Sequence, residues 1–262
     1  MTQTIHFHKY QGTGNDFILL NNIDGNYSDL SIPTVQRLCD RKFGIGADGL
    51  IKLDATSDGD FEADYYNADG TKSFCGNGAR CSVMFAKSQG IFTKNKTKFT
   101  AIDGLHEAEI NENLVFLKMN DVSTVKTLEN LTYETNTGSP HYLRYFENLD
   151  EVDIFSWGRS IRYNETYRKE GINVNAIQEI APNKIKVQTY ERGVENETLS
   201  CGTGVTAAAL SFAVKNHLNG EQIVAIETKG GKLSVRFHCN EHFTDIWLIG
   251  PAEKVFEGTI QL

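Results

Sequence analysis

The sequence predicts an α+β protein of two pseudo-symmetric domains, each a curved, mainly antiparallel sheet wrapped around a central helix. Three observations carry this prediction. The 262 residues suffice for two domains that each bury a core of their own. The two halves of the chain repeat the same order of predicted strands, helices and glycine-rich turns. Residues 204–216 form an apolar, alanine-rich stretch, which is typical of a helix buried inside a closing sheet.

The first elements of each half correspond in order. A glycine-rich turn beside an apolar strand covers residues 12–20 in the first half and residues 136–143 in the second. A segment with helical character follows in both halves, over residues 32–42 and 155–169. A second glycine-containing turn then leads into the next strand of each half.

The later elements also correspond. A strand precedes the central helix in each half, and the alternating residues 184–188 support the strand of the second half. Hairpins follow the central helix at residues 100–105 and 224–231. This correspondence indicates an ancient duplication.

The domain boundary is predicted close to residues 122–127. The N-terminal domain then covers residues 1–122 and carries Cys75, and the C-terminal domain covers residues 123–251 and carries Cys201. Residues 252–262 are predicted to return to the N-terminal domain. A pseudo-symmetric pair of this kind leaves a cleft across which the two cysteines would face each other.

Composition excludes several classes of partner. The formal net charge is −8, and no basic run is dense enough for a nucleic-acid footprint. Lys94, Lys96 and Lys98 are predicted to lie in a solvated loop before a strand. The sequence has no long apolar run and no signal-peptide pattern, so it predicts a cytoplasmic protein without a membrane partner.

The five cysteines show neither a disulfide framework nor a metal-site spacing. Their odd number and scattered positions are typical of reduced thiols in a reducing compartment. Cys39, Cys81 and Cys239 are predicted to be small buried hydrophobes. Walker A, zinc and Rossmann motifs are missing from the sequence as well. We therefore predict no cofactor and no metal.

Two phrases that nearly repeat each other carry the strongest functional signal. Residues 73–80 read SFCGNGAR and residues 199–206 read LSCGTGVT. Each places a cysteine, Cys75 or Cys201, before a Gly-x-Gly turn and a helix. A thiol at a helix N-terminus lies near the positive end of the helix dipole, which stabilises its thiolate. The N–H groups beside it form an anion site that can hold a carboxylate.

Two opposed thiols suit the inversion of a carbon centre. A base on one face removes a proton and an acid on the opposite face returns one, and the roles exchange in the reverse direction. Cysteine fits both roles because its pKa of about 8.5 can be tuned towards neutrality. The charge that develops in the substrate carboxylate needs preorganised N–H donors. The turns predicted to supply them contain Gly76, Asn77, Gly202 and Thr203.

Phrases spread over nearly the full length carry a family resemblance. They read GTGNDF, GIGADGLI, YNADG, CGNGARC, GSPH, YERG, ETLSCGTG and EGTIQL. With them the sequence resembles the diaminopimelate epimerase family. The resemblance implies a cofactor-independent isomerase that converts LL-2,6-diaminopimelate to the meso isomer by two-base catalysis, in lysine and peptidoglycan biosynthesis. It also implies a homodimer.

The resemblance further implies roles for individual residues. Cys75 and Cys201 are the two catalytic thiols, and His141 and Glu191 assist them. The substrate-binding positions are Asn15, Asn67, Gly76, Asn77, Asn173, Glu191, Arg192, Gly202 and Thr203.

Two departures from the family pattern affect the expected substrate contacts. Ser139 stands where an asparagine usually contacts substrate, and serine has no amide N–H donors. A water or a neighbouring residue would then complete that contact. Gly49 replaces a glutamine of some members. Asp48 and Asp69, in glycine-flanked turns, are interpreted as turn formers.

Two rival functions stay open on the sequence alone. One is another racemase or isomerase on the same fold, which a substrate screen would separate. The other is an amino-acid-binding protein without catalysis, although binding alone would not need a second cysteine. Several asparagines with Glu191 and Arg192 fit a substrate that has amino and carboxylate groups at both ends, and a proline site would hardly require them.

Overall fold

The structure of the chain is a computed structural model that describes residues 4–129 and 131–262. It divides into two compact units. Unit 1 comprises Met1–Leu117 and Gly250–Leu262, and unit 2 comprises Lys118–Ile249. Each unit contains its own strands and its own buried central helix.

The helices and strands have the following bounds. The strands are β1 (Thr4–Gly12), β2 (Asn15–Asn21), β3 (Gly49–Asp54), β4 (Phe61–Asn67), β5 (Lys96–Ala101), β6 (Gly104–Asn111), β7 (Leu114–Lys118), β8 (Lys126–Thr127), β9 (Thr132–Asn136), β10 (Pro140–Tyr145), β11 (Asn173–Ala181), β12 (Lys184–Glu191), β13 (Asn196–Thr198), β14 (Gly220–Thr228), β15 (Gly231–Cys239), β16 (Phe243–Pro251) and β17 (Glu253–Gln261). The α-helices are α1 (Ile32–Cys39), α2 (Gly76–Ser88), α3 (Ile154–Arg162) and α4 (Gly202–Lys215).

In unit 1 the strands follow the order β17–β1–β2–β3–β4–β5–β6–β7. The pairs β2–β3 and β4–β5 are parallel and the other pairs are antiparallel. A parallel pair needs a crossover connection, which α1 and α2 provide. The end of the chain belongs to this unit because β17 pairs with β1.

Unit 2 repeats this pattern of pairings. The pairs β9–β10, β11–β12, β14–β15 and β15–β16 are antiparallel, whereas β10–β11 and β12–β14 are parallel. The crossovers of the two parallel pairs contain α3 and α4. Two short strands complete the sheet: β8 pairs with β9 at an edge, and β13 pairs with the last residues of β12, beyond its pairing with β14. The order of parallel and antiparallel pairs is therefore the same in the two units, as a duplication predicts.

Strands enclose the central helix of each unit. α2 contacts β1 to β4 and β17, and α4 contacts β9 to β12, β14 and β15. A single helix touches this many neighbouring strands only where the sheet curves around it. Small residues permit the enclosure of α4, because Ala207, Ala208 and Ala209 have no exposed surface. The predicted α+β class, with mainly antiparallel sheets around a central helix, is confirmed.

Two predicted helices are shorter than expected, and polar side chains end both of them. α1 ends at Cys39 because Asp40 takes an extended backbone conformation and its carboxylate accepts two N–H groups of the following loop. α3 ends at Arg162, and Asn164 accepts two backbone N–H groups in the turn beyond it. Such local hydrogen bonds compete with helix continuation.

The predicted solvated loop before a strand is right for Lys94, which is exposed and precedes β5, and wrong for Lys96 and Lys98. Lys96 and Lys98 lie within β5 and form ion pairs with Glu109 and Glu107 of the neighbouring strand β6. The residue between them points inward, since Thr97 is buried. The segment is therefore a strand with one charged face.

Candidate active site

The first thiol lies at the N-terminus of the central helix of unit 1. Cys75 is the N-cap residue of α2 and has an extended backbone (φ −133°, ψ 114°). Its carbonyl oxygen accepts the Ala79 N–H at 2.8 Å, which closes the first turn. A side chain at Gly78 would crowd Ile51 and Phe17, so glycine lets the helix pack closely on the sheet. The thiol is held at the positive end of the helix dipole.

The side-chain amide of Asn15 faces the thiol of Cys75. The thiol donates to Asn15 Oδ1 at 3.5 Å, and Asn77 Nδ2 donates to the same oxygen at 3.3 Å. At the other end, Asn15 Nδ2 donates to Asp48 Oδ2 at 2.6 Å. Only a donor can face a carboxylate, so this contact fixes the orientation of the amide. The carbonyl oxygen of Asn15 is therefore aimed at the thiol.

Asp48 belongs to a charged network, which its interpretation as a turn former missed. Arg41 Nη2 contacts Asp48 Oδ1 at 2.8 Å and Asp16 Oδ1 at 2.7 Å. Lys9 Nζ contacts Asp16 Oδ2 at 2.7 Å. Burial disfavours the charge on Asp16, but hydrogen bonds from Arg41 and Lys9 outweigh it and hold the pKa of Asp16 at about 2. Asp48 is thus a fixed anchor for Asn15.

Asn67 ends β4 and is engaged within its own turn. Its Nδ2 donates to the carbonyl and hydroxyl oxygens of Thr71 at 3.1 and 3.0 Å, and its Oδ1 accepts the Tyr65 hydroxyl at 2.9 Å. Asp69 accepts the N–H of Thr71 at 2.8 Å, as predicted for a turn former. Tyr65 and Cys75 line the same cavity. Asn67 thus bonds a tyrosine that lines the same cavity as the thiol.

The second thiol repeats this geometry in unit 2. Cys201 is the N-cap residue of α4 with an extended backbone (φ −118°, ψ 114°), and its carbonyl oxygen accepts the Val205 N–H at 2.9 Å. Its Sγ lies 3.5 Å from Thr203 Oγ1. A helix follows each cysteine, as predicted, but the Gly-x-Gly phrase expected as a turn before it is already the first turn of the helix, since α2 begins at Gly76 and α4 at Gly202.

A fully buried imidazole lies beside Thr203. His141 Nε2 is 3.0 Å from Thr203 Oγ1 and 3.0 Å from Ser139 Oγ, and these two hydroxyl oxygens are 3.1 Å apart. Thr137 donates its hydroxyl to the Thr203 carbonyl at 2.8 Å. A chain of hydroxyl groups thus runs from Ser139 through Thr203 to the sulfur of Cys201.

The tautomer of His141 follows from its neighbour Asn175. Asn175 Nδ2 lies 3.1 Å from the Tyr142 carbonyl oxygen, and Thr189 donates to Asn175 Oδ1 at 2.9 Å. Only a donor can face the carbonyl, so Nδ2 also donates to His141 Nδ1, which lies 3.1 Å away. Nδ1 therefore carries no proton, and Nε2–H donates to the hydroxyl pair.

The imidazole of His141 is neutral at physiological pH. Burial lowers the pKa of His141 to about 3, and the charge of Arg192 acts in the same direction. Because the ring holds its single proton on Nε2, it donates a hydrogen bond to Ser139 or Thr203. It does not present a charged acid to Cys201.

Asn173 connects Ser139 to the turn that follows β12. Asn173 Nδ2 donates to Ser139 Oγ at 3.0 Å, and Asn173 Oδ1 accepts the backbone N–H of Arg192 at 2.8 Å. The Arg192 guanidinium is exposed and donates to the Glu170 carbonyl at 3.1 Å. Glu191 ends β12 and is half-buried.

The remaining cysteines have the environment predicted for small hydrophobes. Cys39, Cys81 and Cys239 are buried. Burial raises the pKa of all three thiols, to about 11 for Cys39. All three stay protonated at neutral pH.

The predicted site residues gather in two groups, one in each unit. The first contains Asn15, Cys75, Gly76 and Asn77, and Asn67 bonds Tyr65, which lines the same cavity as Cys75. The second contains His141, Asn173, Cys201, Gly202 and Thr203, with Arg192 joined through its backbone. The sequence prediction missed Asp48, Ser139 and Asn175 as supports of these groups. Asn175 carried a signal, since it lies two residues from Asn173 on the same face of a strand, and Ser139 was noted only for its substrate contact.

Metal ligands and membrane spans were also sought in the described residues. Across 4–129 and 131–262, no group of three or more His, Cys, Asp or Glu side chains is arranged to hold a metal ion. None of the helices in these ranges combines the length and apolar character needed to cross a membrane.

Solved structures define the class of the fold. The chain superimposes on a phenazine biosynthesis protein of the PhzF family from Bacillus anthracis with a TM-score of 0.76 and 14% identity, over 99% of this chain and 100% of that one. A hydroxyproline epimerase from Agrobacterium vitis superimposes with a TM-score of 0.69 and 12% identity, over 99% of this chain and 91% of that one. The chain therefore has the α+β fold that these epimerase and PhzF-family proteins share.

Sequence comparison identifies the family within this class. The chain matches the family model of diaminopimelate epimerase over residues 7–125 and 133–255. It is 49% identical over 256 residues to the diaminopimelate epimerase of Flavobacterium psychrophilum, across 97% of this chain and 99% of that protein. The chain belongs to the diaminopimelate epimerase family, a family of isomerases. The resemblance noted in the sequence is confirmed.

Proposed function

We propose that this chain is a diaminopimelate epimerase that interconverts LL-2,6-diaminopimelate and meso-diaminopimelate without a cofactor. Its family membership supports the assignment. The observation that carries the two-thiol mechanism is the equivalence of Cys75 and Cys201, which are both N-cap residues of a central helix with extended backbones. A reversible inversion requires two such groups, because each serves as base in one direction and as acid in the other.

In the proposed reaction one sulfur acts as a thiolate and takes the α-proton of the substrate. The electron pair of the broken C–H bond passes to the α-carbon and the adjacent carboxylate. The other sulfur, as a thiol, gives its proton to the opposite face of the carbon and becomes a thiolate. N–H groups at the two helix N-termini hold the carboxylate while its charge develops. These groups belong to Gly76, Asn77, Gly202 and Thr203.

Side chains around each sulfur assist in different ways. Asn15 orients the thiol of Cys75 through its anchored carbonyl oxygen. His141 assists Cys201 indirectly, since its neutral Nε2–H donates to the hydroxyl pair and leaves a hydroxyl proton to face the sulfur. We assign Glu191 an assisting role from the end of β12.

The remaining polar residues would recognise the distal end of the substrate, which carries a second amino and a second carboxylate group. Asn67, Asn173 and Glu191 offer amide and carboxylate groups for the amine. Within residues 4–129 and 131–262 the exposed guanidinium of Arg192 donates to one carbonyl oxygen, so it can turn to bind a carboxylate bidentately. A site of this kind rejects substrates that lack the distal groups.

The biological setting belongs to the same proposal. The reaction would serve lysine and peptidoglycan biosynthesis, and the protein would act in the cytoplasm on a small-molecule substrate. We also propose a homodimer, without a nucleic-acid or membrane partner.

The test follows the α-hydrogen. The protein is incubated with LL-diaminopimelate in D2O under reducing conditions, and products are resolved by chiral chromatography and mass spectrometry. We expect the meso isomer with one deuterium at the inverted α-carbon. Proline, hydroxyproline and glutamate serve as comparison substrates and should remain unchanged. Inversion of one of these instead of diaminopimelate would favour another racemase, and binding without deuterium uptake would favour a non-catalytic protein.

A further inference from the structure

Gly49, the first residue of β3, lies beside the ring of Tyr65. It is opposite Asn67 in the pairing of β3 with β4, and Tyr65 lies two positions before Asn67 on the same face of the sheet. A β-carbon at Gly49 would be 2.4 Å from Cε2 of Tyr65, 2.9 Å from its hydroxyl oxygen and 2.6 Å from the Tyr66 carbonyl oxygen. The position therefore admits no side chain, and the hydroxyl of Tyr65 occupies the space that one would fill.

Unit 2 distributes its side chains differently at the equivalent positions. In both units the second residue of one strand lies opposite the next-to-last residue of the following strand, β3 with β4 and β11 with β12. Asn173 therefore corresponds to Gly49, and Thr189 corresponds to Tyr65. Unit 2 places an amide on the first strand and a small, buried residue on the second, whereas unit 1 places a phenol on the second strand only. The hydroxyl of Tyr65 is thus the polar group that unit 1 supplies where unit 2 supplies Asn173, one of the predicted substrate-binding residues.

The hydroxyl group of Tyr65 is held against Asn67. It donates to Asn67 Oδ1 at 2.9 Å, and Asn67 Nδ2 donates to the Thr71 carbonyl oxygen at 3.1 Å. Only a donor can face that carbonyl, so the bond to Thr71 fixes the orientation of the amide without help from Tyr65. A phenol oxygen that donates its proton also accepts hydrogen bonds. The contact therefore places two acceptor oxygens side by side.

Two adjacent acceptor oxygens suit an ammonium group. An ammonium has three N–H donors and can reach two acceptors at once, whereas a carboxylate brings only acceptors of its own. Tyr65 is half-buried and lines the same cavity as the thiol of Cys75. Diaminopimelate carries two ammonium groups, and one of them stays free of the reacting carbon. That second ammonium group is the ligand that the chemistry of the two oxygens favours.

We propose that Tyr65 is a specificity-determining residue, whose hydroxyl accepts a hydrogen bond from the second ammonium group of the substrate together with Asn67 Oδ1. The inference rests on the proposed function of the chain as a diaminopimelate epimerase. The second ammonium group takes no part in the inversion, so the contact stabilises the bound substrate and the transition state equally. Such a contact lowers KM and leaves kcat unchanged.

The test removes the hydroxyl and keeps the ring. Tyr65→Phe preserves the packing of the ring on Gly49 and its edge-on contact with Phe17. For the epimerisation of LL-diaminopimelate we expect KM to rise about tenfold, with kcat within about twofold of the parent value. Tyr66→Phe is the matched control, because it removes a hydroxyl that donates to Asp64 from the next position of β4, on the opposite face. It should leave KM in place.

A second measurement separates recognition of the ammonium from a general disturbance of the site. Pimelate has both carboxylates of the substrate and neither amino group, and it is tested as a competitive inhibitor of the epimerisation. In Tyr65→Phe its inhibition constant should stay within about twofold of the parent value while KM for diaminopimelate rises. A disturbed strand or a displaced thiol would weaken the binding of both compounds.

The outcomes distinguish this inference from the proposed function. A parent protein that does not epimerise LL-diaminopimelate overturns both. With an active parent protein, three results overturn the role of Tyr65 alone. They are parental kinetics in Tyr65→Phe, a fall in kcat in place of a rise in KM, and an inhibition constant for pimelate that rises by the same factor as KM.

Discussion

The Nδ1 atom of His141 accepts a hydrogen bond from the side-chain amide of Asn175 at 3.1 Å. The amide cannot turn round, because the Tyr142 carbonyl faces the same nitrogen. This one contact assigns the imidazole proton to Nε2 and directs it towards Ser139 and Thr203. It makes His141 a neutral donor, and a role as imidazolium acid is inconsistent with it.

The first prediction concerns stability against pH. The folded pKa of His141, about 3, lies below its ordinary value of 6.5, so the unfolded chain binds a proton that the folded chain does not. The contribution to stability is therefore complete above pH 6.5 and declines as the pH falls towards 3. At pH 5.5 we expect this residue alone to lower the free energy of unfolding by about 1 kcal/mol. The measurement is urea unfolding at pH 7.5 and 5.5. Between these values the free energy of unfolding should fall less in His141→Gln than in the parent protein. His6→Gln, on an exposed position of β1, is the control and should behave like the parent protein.

The second prediction concerns Ser139. Its hydroxyl receives Asn173 Nδ2 and lies within hydrogen-bond distance of His141 and Thr203. Ser139→Ala leaves these partners incompletely paired, which corresponds to about 1–2 kcal/mol and a roughly tenfold lower kcat/KM. Steady-state kinetics with LL-diaminopimelate check this. Ser160→Ala removes a hydroxyl from an exposed position of α3 and should have no effect. Equal kinetics for the two variants would contradict a supporting role of Ser139.

The third prediction concerns the anchor of Asn15. Asp48→Ala removes the carboxylate that holds Asn15 Nδ2 at 2.6 Å, so the amide can rotate and turn its carbonyl away from Cys75. We expect kcat/KM to fall about tenfold or more, since hydrogen bonds to charged groups contribute about 1.5–3 kcal/mol. Asp58→Ala changes an exposed carboxylate of a loop and serves as the matched control. An Asp48→Ala variant with parental kinetics would show that the orientation of Asn15 does not matter.

The fourth prediction concerns the two thiols. Cys75→Ala and Cys201→Ala should each lower net epimerisation at least about a thousandfold, because one acid/base group cannot invert a centre from both faces. Cys239→Ala, at a buried thiol outside the site, should keep the parental kcat. The formation of meso-diaminopimelate from the LL isomer is the measurement. Substantial activity in either single variant would contradict the two-thiol mechanism.

The fifth prediction concerns Gly204. A β-carbon there would lie 2.7 Å from Asn175 Oδ1, so alanine must displace the amide that fixes His141. We expect Gly204→Ala to lower the free energy of unfolding by about 1–3 kcal/mol and to lower kcat. Combining it with Asn175→Ala should recover part of the stability, because the clashing group is gone, but not the activity. If the double variant instead loses the sum of the two single losses in free energy of unfolding, the clash between the new β-carbon and Asn175 is not the cause of the Gly204→Ala loss.

Local patterns were the most reliable guide to the fold. The Cys-Gly-x-Gly phrases predicted a helix after each cysteine, and α2 and α4 lie there, although the glycines form the first helical turn rather than a turn before it. Helix ends were less predictable, since α1 stops at Asp40 through a side chain that bonds the next loop. The prediction for Lys96 and Lys98 of β5 failed because their charge was taken as the sign of a solvated loop. In the structure the neighbouring strand β6 supplies glutamates that pair with them on one charged face of the sheet.

Supports of the candidate site could not be read from local patterns. Asp48 accepts a hydrogen bond from Asn15, 33 positions away in the sequence. The glycine-flanked turn around Asp48 does not predict that contact. Ser139 looked like a departure from the family pattern, yet it lies between Asn173 and Thr203.

The sequence by itself determined the α+β class, the duplication, the thiol at the start of each central helix, and the family. These properties depend on hydrophobic periodicity, helix capping and short motifs, which act over a few residues of chain. The tertiary structure alone decided the neutral tautomer of His141 and the anchoring of Asn15. Those properties depend on which distant groups meet and on how far water is excluded from them.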